Sequence, residues 1–136
     1  MGRPEVRVIV DTNILVRAVV RDHAAQARAA AKLLSEAESI AIALPCLCEF
    51  VWVLRKVYGF GTGDIAGAIR TLLATANVET DRPATEAGLS VFEAGGDFAD
   101  GAIAYEGRWL GGETFVSFDR KAIALLRAQG QPARLP

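Results

Sequence analysis

The chain predicts an α/β protein, a sandwich of helices around a mainly parallel sheet. Three observations carry that expectation. Strand and helix signals alternate along the whole length. Two β-branched or aromatic runs, VRVIV at 6–10 and TFVSF at 114–118, are each followed at once by an acid that can open a helix. No repeat, low-complexity tract or linker interrupts the 136 residues, which suit one domain spanning 1–136.

In order, VRVIV reads as a buried strand, and a first helix runs through Ile14 to Val20. Asp22 then caps HAAQARAAAKLLSEAE, in which Ala27, Ala30, Ala31 and Leu34 share one helical face. SIAIA at 39–43 is the second strand, and Pro45 is an early residue of the helix CLCEFVWVLRKVY, which stops at Gly59. A helix from Gly63 to Thr75, a short strand at NVET and a helix opening near Asp81-Arg82-Pro83 fill the middle. DFADGAIAYEGRWLGG is a helix closed by two glycines, TFVSF a strand, RKAIALLRAQ a helix closed by Gly130, and ARL an edge strand.

Composition narrows the function classes. Hydrophobic residues make up 51% and charged residues 23%, a globular balance. No uncharged stretch reaches the roughly 20 apolar residues of a membrane span, and the opening residues do not read as a secretory leader. A cytoplasmic protein is expected, with no membrane partner. Cys46 and Cys48, two apart on a helix, point to different sides and do not form a disulfide framework. A net charge of -1 means that any nucleic acid is met by local patches or a metal ion, not by the overall field. With His23 the single histidine, a histidine-rich zinc site cannot be built from one chain. His23 reads as a surface or cap-adjacent residue, and the chemistry falls to carboxylates.

In parallel α/β sheets, ligand sites gather at the carboxyl ends of strands, where helices present their N-termini. Asp11 and Asp119 directly follow strands, Asp100 sits in a first helical turn, and Glu49 lies one turn into the helix after the second strand. Gathered carboxylates repel in a low-dielectric cleft unless a cation sits among them, and an all-oxygen set favours Mg²⁺ or Mn²⁺ over zinc. Such a site suits phosphodiester hydrolysis. Each acid also has a structural reading. Asp11 and Asp119 suit N-caps, Asp97 and Asp100 resemble a capping box with Asp97 as the cap, and Glu49 with Lys56 fits a solvated stripe.

The ordered stretches VIVDTNILVR, CEFVWVL, DFADGAIA and FVSFDRKA resemble those of the PIN-domain nucleases, and most closely the VapC-type ribonuclease toxins of bacterial toxin-antitoxin pairs. The resemblance spans residues 6–126 and implies a PIN-like α/β/α sandwich. By it, Asp11, Glu49, Asp100 and Asp119 match the four characteristic acids that bind Mg²⁺ or Mn²⁺ and the attacking water. Thr12, Asn13 and Ser117 match supporting polar residues, and Asp97 an acid present in many members. Gly101 departs from the commoner alanine or serine, which weakens the helix start slightly. The implied activity is metal-dependent endoribonuclease cleavage of RNA, whether tRNA or mRNA, by a homodimer held inactive by a cognate antitoxin.

Arg17, Arg21, Arg120 and Lys121 lie near the first and last of these stretches and are candidates to guide RNA phosphates. The apolar helix around Glu49 offers Phe50, Trp52 or Val53 as a dimer or antitoxin contact. Two other Mg²⁺-dependent α/β classes fit less well. A haloacid-dehalogenase-like phosphatase wants a second aspartate where Asn13 stands, and a receiver domain wants an adjacent acid pair near the first strand. The non-enzyme alternative is a catalytically inactive PIN-like module that binds RNA or protein.

Overall fold

In the computed structural model, which describes residues 7–136, the first strand, β1, covers Arg7–Ile9. Val6, the expected first strand residue, lies outside the described residues. Ile9 is 85% exposed, so β1 is less buried than its composition suggests. Helix α1 (Thr12–Val20) starts two residues before Ile14 because the Asp11 carboxylate accepts the Ile14 N–H at 3.2 Å, satisfying a donor that would otherwise lack a partner.

Helix α2 (Ala24–Glu36) is capped by His23 rather than Asp22: the imidazole Nδ1 accepts the Gln26 N–H at 3.2 Å. Asp22 instead accepts from Arg17 at 3.1 Å and from the Tyr58 hydroxyl at 3.1 Å. A guanidinium is a stronger partner for a carboxylate than a helix amide, so the aspartate ties two elements together and leaves the cap to its neighbour.

Strand β2 (Ser39–Ala41) leads into α3 (Leu44–Lys56), where Pro45 occupies the opening turn and sacrifices no intrahelical donor. Gly59, at φ 70, takes the left-handed turn after the helix. Helix α4 (Thr62–Ala74) and strand β3 (Val78–Glu79) follow. The ladder runs β1-β2-β3, wholly parallel, with Val8 opposite Ile40 and Ile40 opposite Val78. Asn77 and Thr80 flank β3 and fasten it, the amide donating to Leu34 and Ala37 carbonyls and the hydroxyl to the Ile42 carbonyl. Leu15, Ile40, Leu47, Phe50, Leu54, Ile65 and Ile69 are buried in this first unit, which ends at Asp81. Each such side chain contributes roughly 1.5–3 kcal/mol by leaving water. Phe50 is therefore core and not a surface contact, whereas Trp52 is exposed and Val53 half-buried.

The second unit, Arg82–Pro136, holds α5 (Arg82–Glu93), α6 (Phe98–Trp109), β4 (Phe115–Val116), α7 (Arg120–Ala128) and β5 (Ala133–Arg134). Helices α5 and α6 are its most closely packed pair. A Cβ added at Gly101 would strike the Ala87 carbonyl oxygen and lie 2.9 Å from both Gly88 Cα and Val91 Cγ2, so the helices meet at backbone distance. Glycine at 101 is thus required by the crossing, and the small propensity loss expected from it is secondary. Strands β4 and β5 pair in parallel, Phe115 opposite Ala133, over a core of Val91, Ala104, Ile123, Leu126 and Ala133. The terminal strand is the edge strand that the residues ARL suggested. Seven helices and two parallel sheets among the described residues make the fold α/β, as expected. No helix among them is long and apolar enough to cross a membrane.

Candidate metal centre

The second unit brings three acids together. Asp97 stands at the N-cap of α6, Asp100 in its first turn, and Asp119 at the N-cap of α7. One carboxylate oxygen from each lies within 4.8 Å of the other two. Asp119 Oδ1 alone accepts both the Lys121 N–H at 3.0 Å and the Ala122 N–H at 3.1 Å. Its second oxygen takes no part in the cap, so capping leaves that oxygen to the acidic cluster. Ser117 fixes the approach to it, its hydroxyl accepting the Asp119 N–H at 2.9 Å.

Asp97 does not cap as the D-x-x-D pattern suggested. Its backbone has the extended N-cap geometry, and its carbonyl accepts the Asp100 N–H, but its carboxylate makes no cap bond. That carboxylate belongs to the acidic cluster. Burial pushes the Asp100 carboxyl above its ordinary range, and repulsion from Asp97 and Asp119 pushes it further.

A cavity of about 90 Å³ opens against these acids, walled by Gly95, Gly96 and Lys121. At roughly 30 Å³ per water, that is room for an ion with one or two waters. The wall needs its glycines. Gly95 has φ 104, and a Cβ at Gly96 would lie 2.6 Å from Leu125 and 2.8 Å from Val91. These two residues were not among the expected site residues, although a Gly-Gly pair before a helix is itself a turn signal. Three hard oxygen donors that repel one another and face a small polar cavity fit Mg²⁺ or Mn²⁺.

The first unit carries the other two expected acids. Burial pushes the Cys46 thiol above its ordinary range, the hydrogen bond from Thr12 opposes that rise, and the charges of Asp11 and Glu49 add to it. Thr12, buried, donates its hydroxyl to Cys46 Sγ at 3.8 Å and so links the first turns of α1 and α3. Asn13 is exposed in the first turn of α1. Neither Cys46 nor Cys48 is in a disulfide. Of the candidate RNA-contacting residues, Arg17 is held by Asp22 and by Gln26 at 2.7 Å, whereas Arg21, Arg120 and Lys121 are exposed.

These features define an α/β protein with an all-oxygen cluster of three acids whose donor set suits a divalent cation. The family model for the PIN domain matches residues 8–127, and the chain belongs to that family. Its members are generally nucleases, and they typically use divalent metals. No curated protein and no solved structure matches the chain.

Proposed function

We propose that the protein is a metal-dependent endoribonuclease, the VapC-type toxin of a toxin-antitoxin pair, acting in the cytoplasm as a homodimer restrained by a cognate antitoxin. The observation that carries the nuclease reading is the Asp97–Asp100–Asp119 cluster within a PIN-domain chain. In this proposal residues 1–136 work as one PIN domain, and Asp11, Glu49, Asp100 and Asp119 hold Mg²⁺ or Mn²⁺. A bound divalent ion offsets charge on the phosphoryl oxygens and acidifies a water.

The chain's own residues do the rest. Asp119, fixed by Ser117 and by its two cap bonds, presents its free oxygen without reorganising. Asp100, whose carboxyl is pushed up by burial and by its two acidic neighbours, gains charge compensation from a cation. Asp97 adds charge to the same cavity, and Thr12 and Asn13 support Asp11. Arg17, Arg21, Arg120 and Lys121 guide the phosphates of a tRNA or mRNA, Arg17 only after releasing Asp22.

Induction of the wild type in a bacterial host, beside Asp100→Asn and Glu49→Gln, tests this. Growth arrest with new 5′-phosphate RNA ends from the wild type alone is the expected result. RNA bound by the purified protein but never cut with Mn²⁺ or Mg²⁺ would favour the inactive binding module.

A further inference from the structure

Three arginines of the second unit converge on one concavity. Arg120 and Arg127 are seven residues apart on α7 and therefore share a face, about 10 Å apart along the axis. Arg134 joins them from β5, and Ile123, Ala124 and Leu135 complete a cavity of about 380 Å³. None of the three is paired with a carboxylate among the described residues. Two are held by backbone carbonyls: Arg127 Nε donates to Ala133 at 2.7 Å, and an Arg134 terminal nitrogen donates to Leu135 at 2.9 Å. Each keeps further guanidinium donors available.

We infer that this concavity is a binding site for the phosphates of single-stranded RNA, running along α7 away from the acidic cluster. The inference rests on the ribonuclease reading for its substrate class. Arg120 directly follows Asp119, so the track begins at a candidate metal ligand. Planar guanidinium groups match phosphate oxygens in pairs, and two that are already oriented lose less freedom on binding. The apolar floor gives ribose and base a surface to lie against. Charge alone would not find this site, since the whole chain is at -1.

The test is binding of a fluorescein-labelled single-stranded RNA by anisotropy in EDTA, over a series of KCl concentrations. Each phosphate contact to a single strand contributes about 0.7 to the slope of log K against log salt. Arg127→Gln/Arg134→Gln should flatten the slope by about 1.4 and weaken binding about tenfold at low salt, while Arg127→Lys/Arg134→Lys keeps the slope. Arg127 also ties α7 to β5, so Arg134→Gln alone is the second variant, with a loss of about 0.7. An unchanged slope in both Gln variants would overturn the inference. So would displacement of the RNA by polyglutamate as readily as by unlabelled RNA of equal charge, which would make the site one for acidic peptides.

Because EDTA removes cleavage from the assay, the two readings fail separately. A protein that cuts RNA but keeps its slope in the Gln variants loses only this inference. One that shows the flattened slope yet never cuts loses only the nuclease reading.

Discussion

Replacing Asp100 with asparagine should stabilise the cation-free protein and remove its stabilisation by Mn²⁺. At the 4.8 Å limit of the cluster, one pair of like charges costs about 0.9 kcal/mol with water-like screening and about 3.5 kcal/mol at an effective dielectric constant of 20. Asp97 and Asp119 are exposed, which favours the lower end, so two partners together cost Asp100 about 2 kcal/mol after screening. The N-terminus of α6 returns roughly 0.3–1 kcal/mol to the charged form. Repulsion wins by about 1 kcal/mol, or about 3 °C in melting temperature for a chain of this size.

The sign with pH follows from the direction of the shift. The folded pKa of Asp100 is raised above the ordinary 3.8, so below that value the carboxyl is protonated in both states and exacts no penalty. The penalty grows as pH climbs through the raised folded value and is complete above it. The advantage of Asp100→Asn should therefore be full at neutral pH and vanish towards pH ~3.8, the unfolded value. Thermal melts in EDTA across this range read it directly. With Mn²⁺ at about a hundred times its dissociation constant, the wild type should gain about 2.7 kcal/mol, roughly 8 °C, and the variant little. A variant that melts below the wild type in EDTA at neutral pH, or gains as much from Mn²⁺, would refute the reasoning.

Gly101→Ala should destabilise by about 1–3 kcal/mol despite a helix-propensity gain of about 1 kcal/mol, because the new methyl meets backbone; a urea midpoint at or above the wild type would contradict the crossing. Asp119→Ala should lose about 0.5–2 kcal/mol of cap energy as well as the ligand, whereas Asp119→Asn should lose Mn²⁺ binding with little change in urea midpoint; equal destabilisation would deny the capping role. Cys46→Val should cost about 1–3 kcal/mol by leaving the buried Thr12 hydroxyl without an acceptor, and Cys46→Ser much less; identical midpoints for the two would show that the O–H···S contact is idle.

Local chemistry was legible in the residues, and contacts made across the chain were not. An acid directly after a β-branched run announces a cap, and both Asp11 and Asp119 accept helix N–H groups. Those same residues were expected to be cap or ligand, and for Asp119 a single oxygen does the capping, which removes the choice. Asp97 shows the limit: D-x-x-D is the same pattern whether its first carboxylate turns to the helix or to Asp119, a residue 22 positions away. Asp22 shows the same limit, since the Tyr58 hydroxyl, 36 positions away, joins Arg17 in holding its carboxylate, and the tyrosine is not visible from a window around the helix start. Periodicity could not tell Phe50 from Trp52 as core or surface, because α3 is apolar on most sides. Arg127 and Arg134 look like ordinary surface charge until the return of β5 places them in one cavity.

Gly88 and Gly101 serve one helix crossing, yet they differ in how freely the sequence can drift around them. A side chain at 88 would meet the ring of Phe98, at 2.7–2.9 Å, and a smaller residue at 98 could make room. At 101 the obstacle includes the Ala87 carbonyl oxygen, an atom that no substitution can remove. The first glycine can be exchanged by a compensating pair of changes. Departure from the second has no such partner and requires the two helices to move apart, carrying Asp100 with them.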